Sequence, residues 1–193
     1  RIGFTVREMT TGLEYRFVPE GPPITTEAIE ACLDAVALHD GRYVVASGSL
    51  PAGAPPDVYA RMAGLAAGRG ARLVLDSSGE GLRATLEAAP VYLLKPSLGE
   101  MEQFVGGKLD VEGASRAAAE IVAKGMAEIV AVTLGADGAI VADADGAEFM
   151  PAIHVRVRSA VGAGDSFLGA MTLALSQGQS TRDAFRLGMA AGA

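Results

Sequence analysis

The chain reads as an α/β domain whose mainly parallel sheet is covered by helices on both faces. Three observations predict this. First, short apolar runs recur without polar alternation: Tyr43-Val44-Val45-Ala46, Arg72-Leu73-Val74-Leu75-Asp76, Val91-Tyr92-Leu93-Leu94 and Ile129-Val130-Ala131-Val132. Strands buried on both faces have this composition. Second, amphipathic helical patterns separate these runs, and that alternation builds a covered parallel sheet. Third, half of the 193 residues are hydrophobic and mean hydropathy is +0.30, enough for one sizeable core.

The elements follow in order. Residues 2–9 and 13–18 predict two strands around Thr10-Thr11-Gly12, with Phe4, Val6, Tyr15 and Phe17 alternating. Residues 2–18 are expected to project as a small subdomain. Pro19 to Pro23 form a loop. Thr25 or Thr26 caps a helix with apolar positions Ile29, Cys32, Leu33 and Val36, ending at His39 and Gly41. The strand at 43–46 comes next, then a helix near 56–68, a strand at 72–76, a helix near 80–88 and a strand at 91–94. Helices at 98–105 and 113–125 precede the strand at 129–132. Residues 139–150 predict a hairpin turning at Asp145-Gly146. His154, Val155 and Val157 predict one more strand. Apolar helical patterns then cover Phe167, Leu168, Met171 and Leu175, and the final stretch 188–193. The whole, 1–193, is read as one domain. Arg1 in place of Met and the uncapped apolar end are read as marks of a longer protein.

Composition narrows the partners. Net charge is −7 and no dense Lys/Arg cluster occurs, which argues against nucleic acid and anionic membrane. The apolar runs are too short and interrupted for a membrane helix. The single cysteine, Cys32, permits no internal disulfide and is expected to be a small buried hydrophobe. A reducing cytoplasm is the simple inference. Cys32, His39 and His154 form no metal-ligand pattern.

The string Ala160-Val161-Gly162-Ala163-Gly164-Asp165-Ser166-Phe167 carries the most chemistry. Gly162 and Gly164 remove side chains from a turn, so backbone N–H groups can close on an anion. The helix that follows adds its positive dipole end. A carboxylate beside an anion is repulsive and needs a task, and taking a proton from an attacking hydroxyl is one. These residues suggest phosphoryl transfer to an alcohol. They also read as an ordinary helix start with Asp165 as N-cap.

Four strand ends are polar or glycine-rich, where ligands collect in open α/β sheets. Ser47-Gly48-Ser49-Leu50-Pro51 offers a sharp turn and a hydroxyl, or is a simple turn. In Asp76-Ser77-Ser78-Gly79-Glu80, the serines suit capping and Asp76 suits organising a site. Lys95-Pro96-Ser97-Leu98-Gly99-Glu100 offers a phosphate partner in Lys95 and a carboxylate for magnesium through water in Glu100. It also reads as a surface lysine beside a helix start. Thr133-Leu134-Gly135-Ala136-Asp137-Gly138-Ala139 either admits a nucleotide close to the backbone or makes a tight turn.

In order and spacing these strings resemble the PfkB (ribokinase-like) carbohydrate kinases, and among them the phosphofructokinase-2 type. Tyr15-Arg16-Phe17-Val18 and Gly169-Ala170-Met171-Thr172-Leu173 add to the resemblance. It implies a ribokinase-like three-layer α/β/α fold with a small β lid remnant at the N-terminus. It implies Asp165 as the catalytic base, with Gly162, Ala163 and Gly164 as the anion hole. Lys95, Ser97, Glu100, Thr133, Gly135, Gly138, Ser159 and Val161 would bind ATP and Mg²⁺, with Glu100 acting on the metal through water. Arg1, Ser49 and Asp165 would meet the sugar phosphate. A homodimer built through the strands near 2–18 is also implied.

Three departures stand out. Ala160 and Ser97 replace a Thr and an Asn of the family pattern, and the family's N-terminal Gly-Gly-Asn segment is not in this sequence. The expected reaction is transfer from ATP to the C1 hydroxyl of fructose 6-phosphate. A 1-phosphofructokinase, a tagatose-6-phosphate kinase and a non-catalytic nucleotide sensor are the alternatives.

Overall fold

The computed structural model describes residues 3–19, 21–155 and 161–193. Strands β1 (Phe4–Arg7) and β2 (Glu14–Phe17) form a two-stranded antiparallel ribbon separate from the main sheet. Phe4 lies opposite Phe17 and Val6 opposite Tyr15, so one face of the ribbon is apolar. The Phe4 and Phe17 rings stack with centroids 5.1 Å apart.

The remainder runs α1 (Thr26–Leu38), β3 (Tyr43–Ser47), α2 (Val58–Gly68), β4 (Arg72–Asp76), α3 (Gly79–Ala88), β5 (Val91–Leu94), α4 (Leu98–Val105), α5 (Val111–Ala123), β6 (Ala127–Thr133), β7 (Gly138–Asp143), β8 (Gly146–Pro151), α6 (Ala163–Ser176) and α7 (Thr181–Gly192). The six-stranded sheet has the order β3-β4-β5-β6-β7-β8. β3 to β6 are parallel, and β7 and β8 are antiparallel additions.

The apolar runs follow from this layering. Successive strand residues point to opposite faces, and both faces are covered. Leu73, Leu75, Leu94, Val130 and Ile140 pack with Tyr59, Leu82, Met101 and Ile121 of α2 to α5. Val74, Leu93, Ala131 and Val141 pack with Phe167, Met171 and Phe185 of α6 and α7. At Gly188 and Gly192 of α7, an added Cβ would come within 3.0 Å of the Phe167 and Ala163 carbonyl oxygens. Bare backbone there lets α7 press against α6 and back its first turn.

Several sequence expectations need correction. Cys32 is exposed, whereas Ile29 and Leu33 are buried against Val58 of α2. A residue beside Leu33 is turned by about 100° around the helix axis, which carries Cys32 off the single stripe that α1 buries. The hairpin turns at Ala144-Asp145, because Gly146 already pairs with Asp143. His154 and Val155 carry no regular structure, and Val157 lies outside the described residues.

Candidate functional site

The carboxyl ends of β3 to β6 share one edge of the sheet, where the chain crosses at residues 47–51, 76–79, 95–97 and 133–135. Lys95 leaves β5 there and is buried, 5% exposed. A surface lysine is therefore excluded. Its Nζ lies 3.0 Å from Asp76 Oδ1 at the end of β4. The strands set this pair: the Lys95 N–H donates to the Leu75 carbonyl at 2.9 Å. A buried ammonium needs a nearby opposite charge, and Asp76 supplies it. Burial pushes the Asp76 carboxyl above its ordinary range; Lys95 opposes this, and the charges of Glu100 and Asp165 add to it. The Asp76 carboxylate therefore pairs with Lys95 while feeling the charges of Glu100 and Asp165.

The first turn of α6 completes the arrangement. Gly162 is the N-cap, left-handed at φ 86°, and Asp165 sits within the first turn. The reading of Asp165 as N-cap is corrected. The Ser166 N–H makes the first helical bond, to the Gly162 carbonyl, so residues 163–165 precede it with amides that helix bonding does not use. A Cβ on Gly164 would lie 3.7 Å from Lys95 Nζ. The ammonium therefore stands at the positive end of a helix, a like-charge arrangement that an anion would relieve. Asp165 is exposed at this spot.

Ser97 and Glu100 form a capping box on α4. Glu100 Oε2 accepts from the Ser97 N–H at 2.7 Å, and Ser97 Oγ accepts from the Glu100 N–H at 3.3 Å. Serine and asparagine are comparable N-caps, which accounts physically for serine at this position. The Thr133 N–H donates to the Pro96 carbonyl at 3.0 Å, and Ser97 bridges to Thr133, so residues 95–97 are tied to the end of β6. Gly135 is exposed with φ 63°. Gly138 is different: it is buried, and a Cβ would lie 2.1 Å from the Met150 carbonyl oxygen. The pairing with β8 explains this glycine without a ligand. Val161 is exposed just ahead of α6. Arg1, Ser159 and Ala160 lie outside the described residues.

Ser49 follows β3 and is exposed. It lines two concavities, one of about 310 Å³ with Ser78 and Glu80, the other of about 640 Å³ with Pro22, Pro23 and Thr25. Both flank the Ser49 loop on the β3–β4 side of the edge. Among the described residues no group of three or more His, Cys, Asp or Glu is placed to hold a metal ion, and no helix is long and apolar enough to cross a membrane. Sequence reading missed Tyr59, whose hydroxyl reaches from α2 to the Gly48 carbonyl at 2.7 Å. Nothing in an Ala-rich helix signals that reach.

A layered α/β domain whose strand ends place a buried lysine against a glycine-led helix start is a phosphate-binding type of architecture. The chain belongs to the pfkB family of carbohydrate kinases, whose model matches residues 2–193. It is 42% identical over 196 residues to an ATP-dependent 6-phosphofructokinase isozyme 2 of Mycobacterium tuberculosis, covering 100% of this chain and 57% of the relative. It is 33% identical to a 1-phosphofructokinase of Bacillus subtilis, covering 96% of this chain and 61% of that protein. Phosphofructokinase-2 from Escherichia coli, solved with substrates and products, superposes with TM-score 0.90 at 34% identity, over 98% of this chain and 62% of that one. A tetrameric inhibited form of the same enzyme gives 0.91. The chain thus spans about three-fifths of the length of these relatives.

Proposed function

We propose that the protein carrying this chain transfers the γ-phosphoryl group of ATP to the C1 hydroxyl of fructose 6-phosphate. The observation that carries this reading is the exposed Asp165 carboxylate in the first turn of α6, beside the buried Lys95 ammonium. A carboxylate is unfavourable beside bound phosphate and is useful there as a proton acceptor. In the proposed step Asp165 takes the hydroxyl proton. The freed oxygen forms a bond to the γ-phosphorus, the bond to the β-phosphate bridging oxygen breaks, and ADP leaves. The amides of Gly162, Ala163 and Gly164, with Lys95, offset charge on the transferring group.

Lys95 and the 133–135 turn are assigned to the nucleotide, and Ser49 to the sugar phosphate. Mg²⁺ would neutralise phosphate charge, with Glu100 acting on it through water. The closely matched phosphofructokinase isozymes favour fructose 6-phosphate. The 1-phosphofructokinases among the relatives keep fructose 1-phosphate as the second reading.

The deciding experiment measures ADP release by the full-length protein with Mg·ATP and fructose 6-phosphate, fructose 1-phosphate or tagatose 6-phosphate at matched concentrations. Preference for fructose 6-phosphate is expected. Asp165→Asn is expected to lower kcat by ~10²–10⁴-fold while ATP still binds. Undiminished turnover in that variant would remove Asp165 from the chemistry.

A further inference from the structure

The Gly48 peptide is held from two sides. Its N–H donates to the Asp76 carbonyl at 2.8 Å, and its C=O accepts from the Tyr59 hydroxyl at 2.7 Å. Gly48 has φ 102°, a conformation that glycine reaches at little cost. The Tyr59 ring is buried at 7% exposure on α2. Space for it is made locally: a Cβ on Gly81 of α3 would lie 2.8 Å from Leu50 and 3.6 Å from the Tyr59 ring. Burial, with the charge of Asp76 adding to it, pushes the phenol above its ordinary titration range, although the nearby Ser77 hydroxyl opposes this. The hydroxyl therefore keeps its proton and acts as a donor.

The consequence lies in the next bond. The Gly48 C=O and the Ser49 N–H belong to one planar trans peptide, so they point in opposite directions. Fixing the carbonyl on Tyr59 aims the Ser49 N–H away from α2. Among the described residues that N–H makes no hydrogen bond. The Ser49 hydroxyl belongs to the same short segment, which faces both concavities.

We infer that Tyr59 is a positioning residue for the acceptor side of the site: its hydroxyl locks the Gly48–Ser49 peptide so that the Ser49 amide and hydroxyl both face the sugar phosphate. This rests on the assignment of Ser49 to the acceptor in the proposed reaction. Tyr59 touches neither the Lys95–Asp76 pair nor the first turn of α6 through any hydrogen bond among the described residues.

The test is Tyr59→Phe, which deletes one oxygen and keeps the ring. KM for fructose 6-phosphate is expected to rise roughly five- to tenfold, the weight of one hydrogen bond. KM for ATP should stay within about twofold by the same reasoning, since no nucleotide contact is lost. Equal rises in both KM values, or no change in either, would overturn the inference. A second readout does not need turnover. Hydrogen exchange at the Gly48 amide, read by NMR with and without the substitution, should speed up while exchange in β5 and β6 stays unchanged. Unchanged Gly48 exchange would mean that the hydroxyl holds nothing. If the unsubstituted protein phosphorylates none of the three sugars, the reaction assignment fails, and fructose 6-phosphate binding by calorimetry then decides: weaker binding in Tyr59→Phe supports the positioning role, and equal binding overturns it.

Discussion

Lys95 is buried at the very place where an anion is proposed to bind, and Asp76 is the group that makes this tolerable. The pair lies 3.0 Å apart, with side chains 6% and 15% exposed. Removing one partner of such a pair leaves a stranded charge, while replacing both by apolar groups is often neutral. Asp76→Ala is therefore expected to cost about 3–5 kcal/mol in urea unfolding. Lys95→Met combined with Asp76→Leu should recover most of that loss, yet abolish the rise in Tm that the proposed nucleotide site predicts on adding ATP. Equal instability in the single and double variants would show that the ion pair is not what the site depends on. The Asp76 carboxyl also sets a sign for pH. Its folded pKa lies above the ordinary 3.8, so its titration stabilises the fold most below 3.8, and that contribution fades as pH rises through the folded value. Lys95 was legible as a strand-end lysine. Its burial was not, because sequence gives no view of which neighbouring strand brings a carboxylate.

Among the elements, two glycines three residues apart, Gly135 and Gly138, do different work. Gly135 is exposed, its φ is 63° and an added Cβ meets nothing within 4 Å. Gly138 has φ 121° and ψ −140° and would drive a Cβ into the Met150 carbonyl. Gly135→Ala is expected to cost about 1–2 kcal/mol, the left-handed penalty alone. Gly138→Ala adds a clash to a backbone region nearly confined to glycine, so about 2–5 kcal/mol is expected. Thermal and urea unfolding of the two variants checks this; equal losses would mean that β8 can move aside cheaply. At α4 only a helix start was legible; the capping box that the structure shows there accounts for Ser97 and one oxygen of Glu100 before any ligand is considered. The hairpin shifted by one residue because Asp143 pairs directly with Gly146, a register fixed by the partner strand and not by the Asp-Gly dipeptide.

Across the whole molecule, the sheet is sealed on both faces, but the β1–β2 ribbon is not. Phe4, Tyr15 and Phe17 are 53%, 47% and 49% exposed, all on its apolar side. Exposed apolar faces of this kind mark interaction surfaces, and a second copy of the ribbon is the proposed partner. Phe4→Ser with Phe17→Ser should shift sedimentation toward the monomer; an unchanged sedimentation coefficient would reject this face as the contact. The layers were readable from the residue pattern alone. Buried parallel strands leave continuous apolar runs, helices leave periodic ones, and glycines with an aspartate mark the start of α6, because each of these signals is local. Which groups meet depends on packing between elements. Cys32 lies off the buried stripe because α1 packs on one side, Gly138 answers to Met150, Asp76 reaches Lys95, and Tyr59 holds Gly48. Each of these contacts joins residues set in distance and direction by how strands and helices stack, and no pattern within a single segment records that.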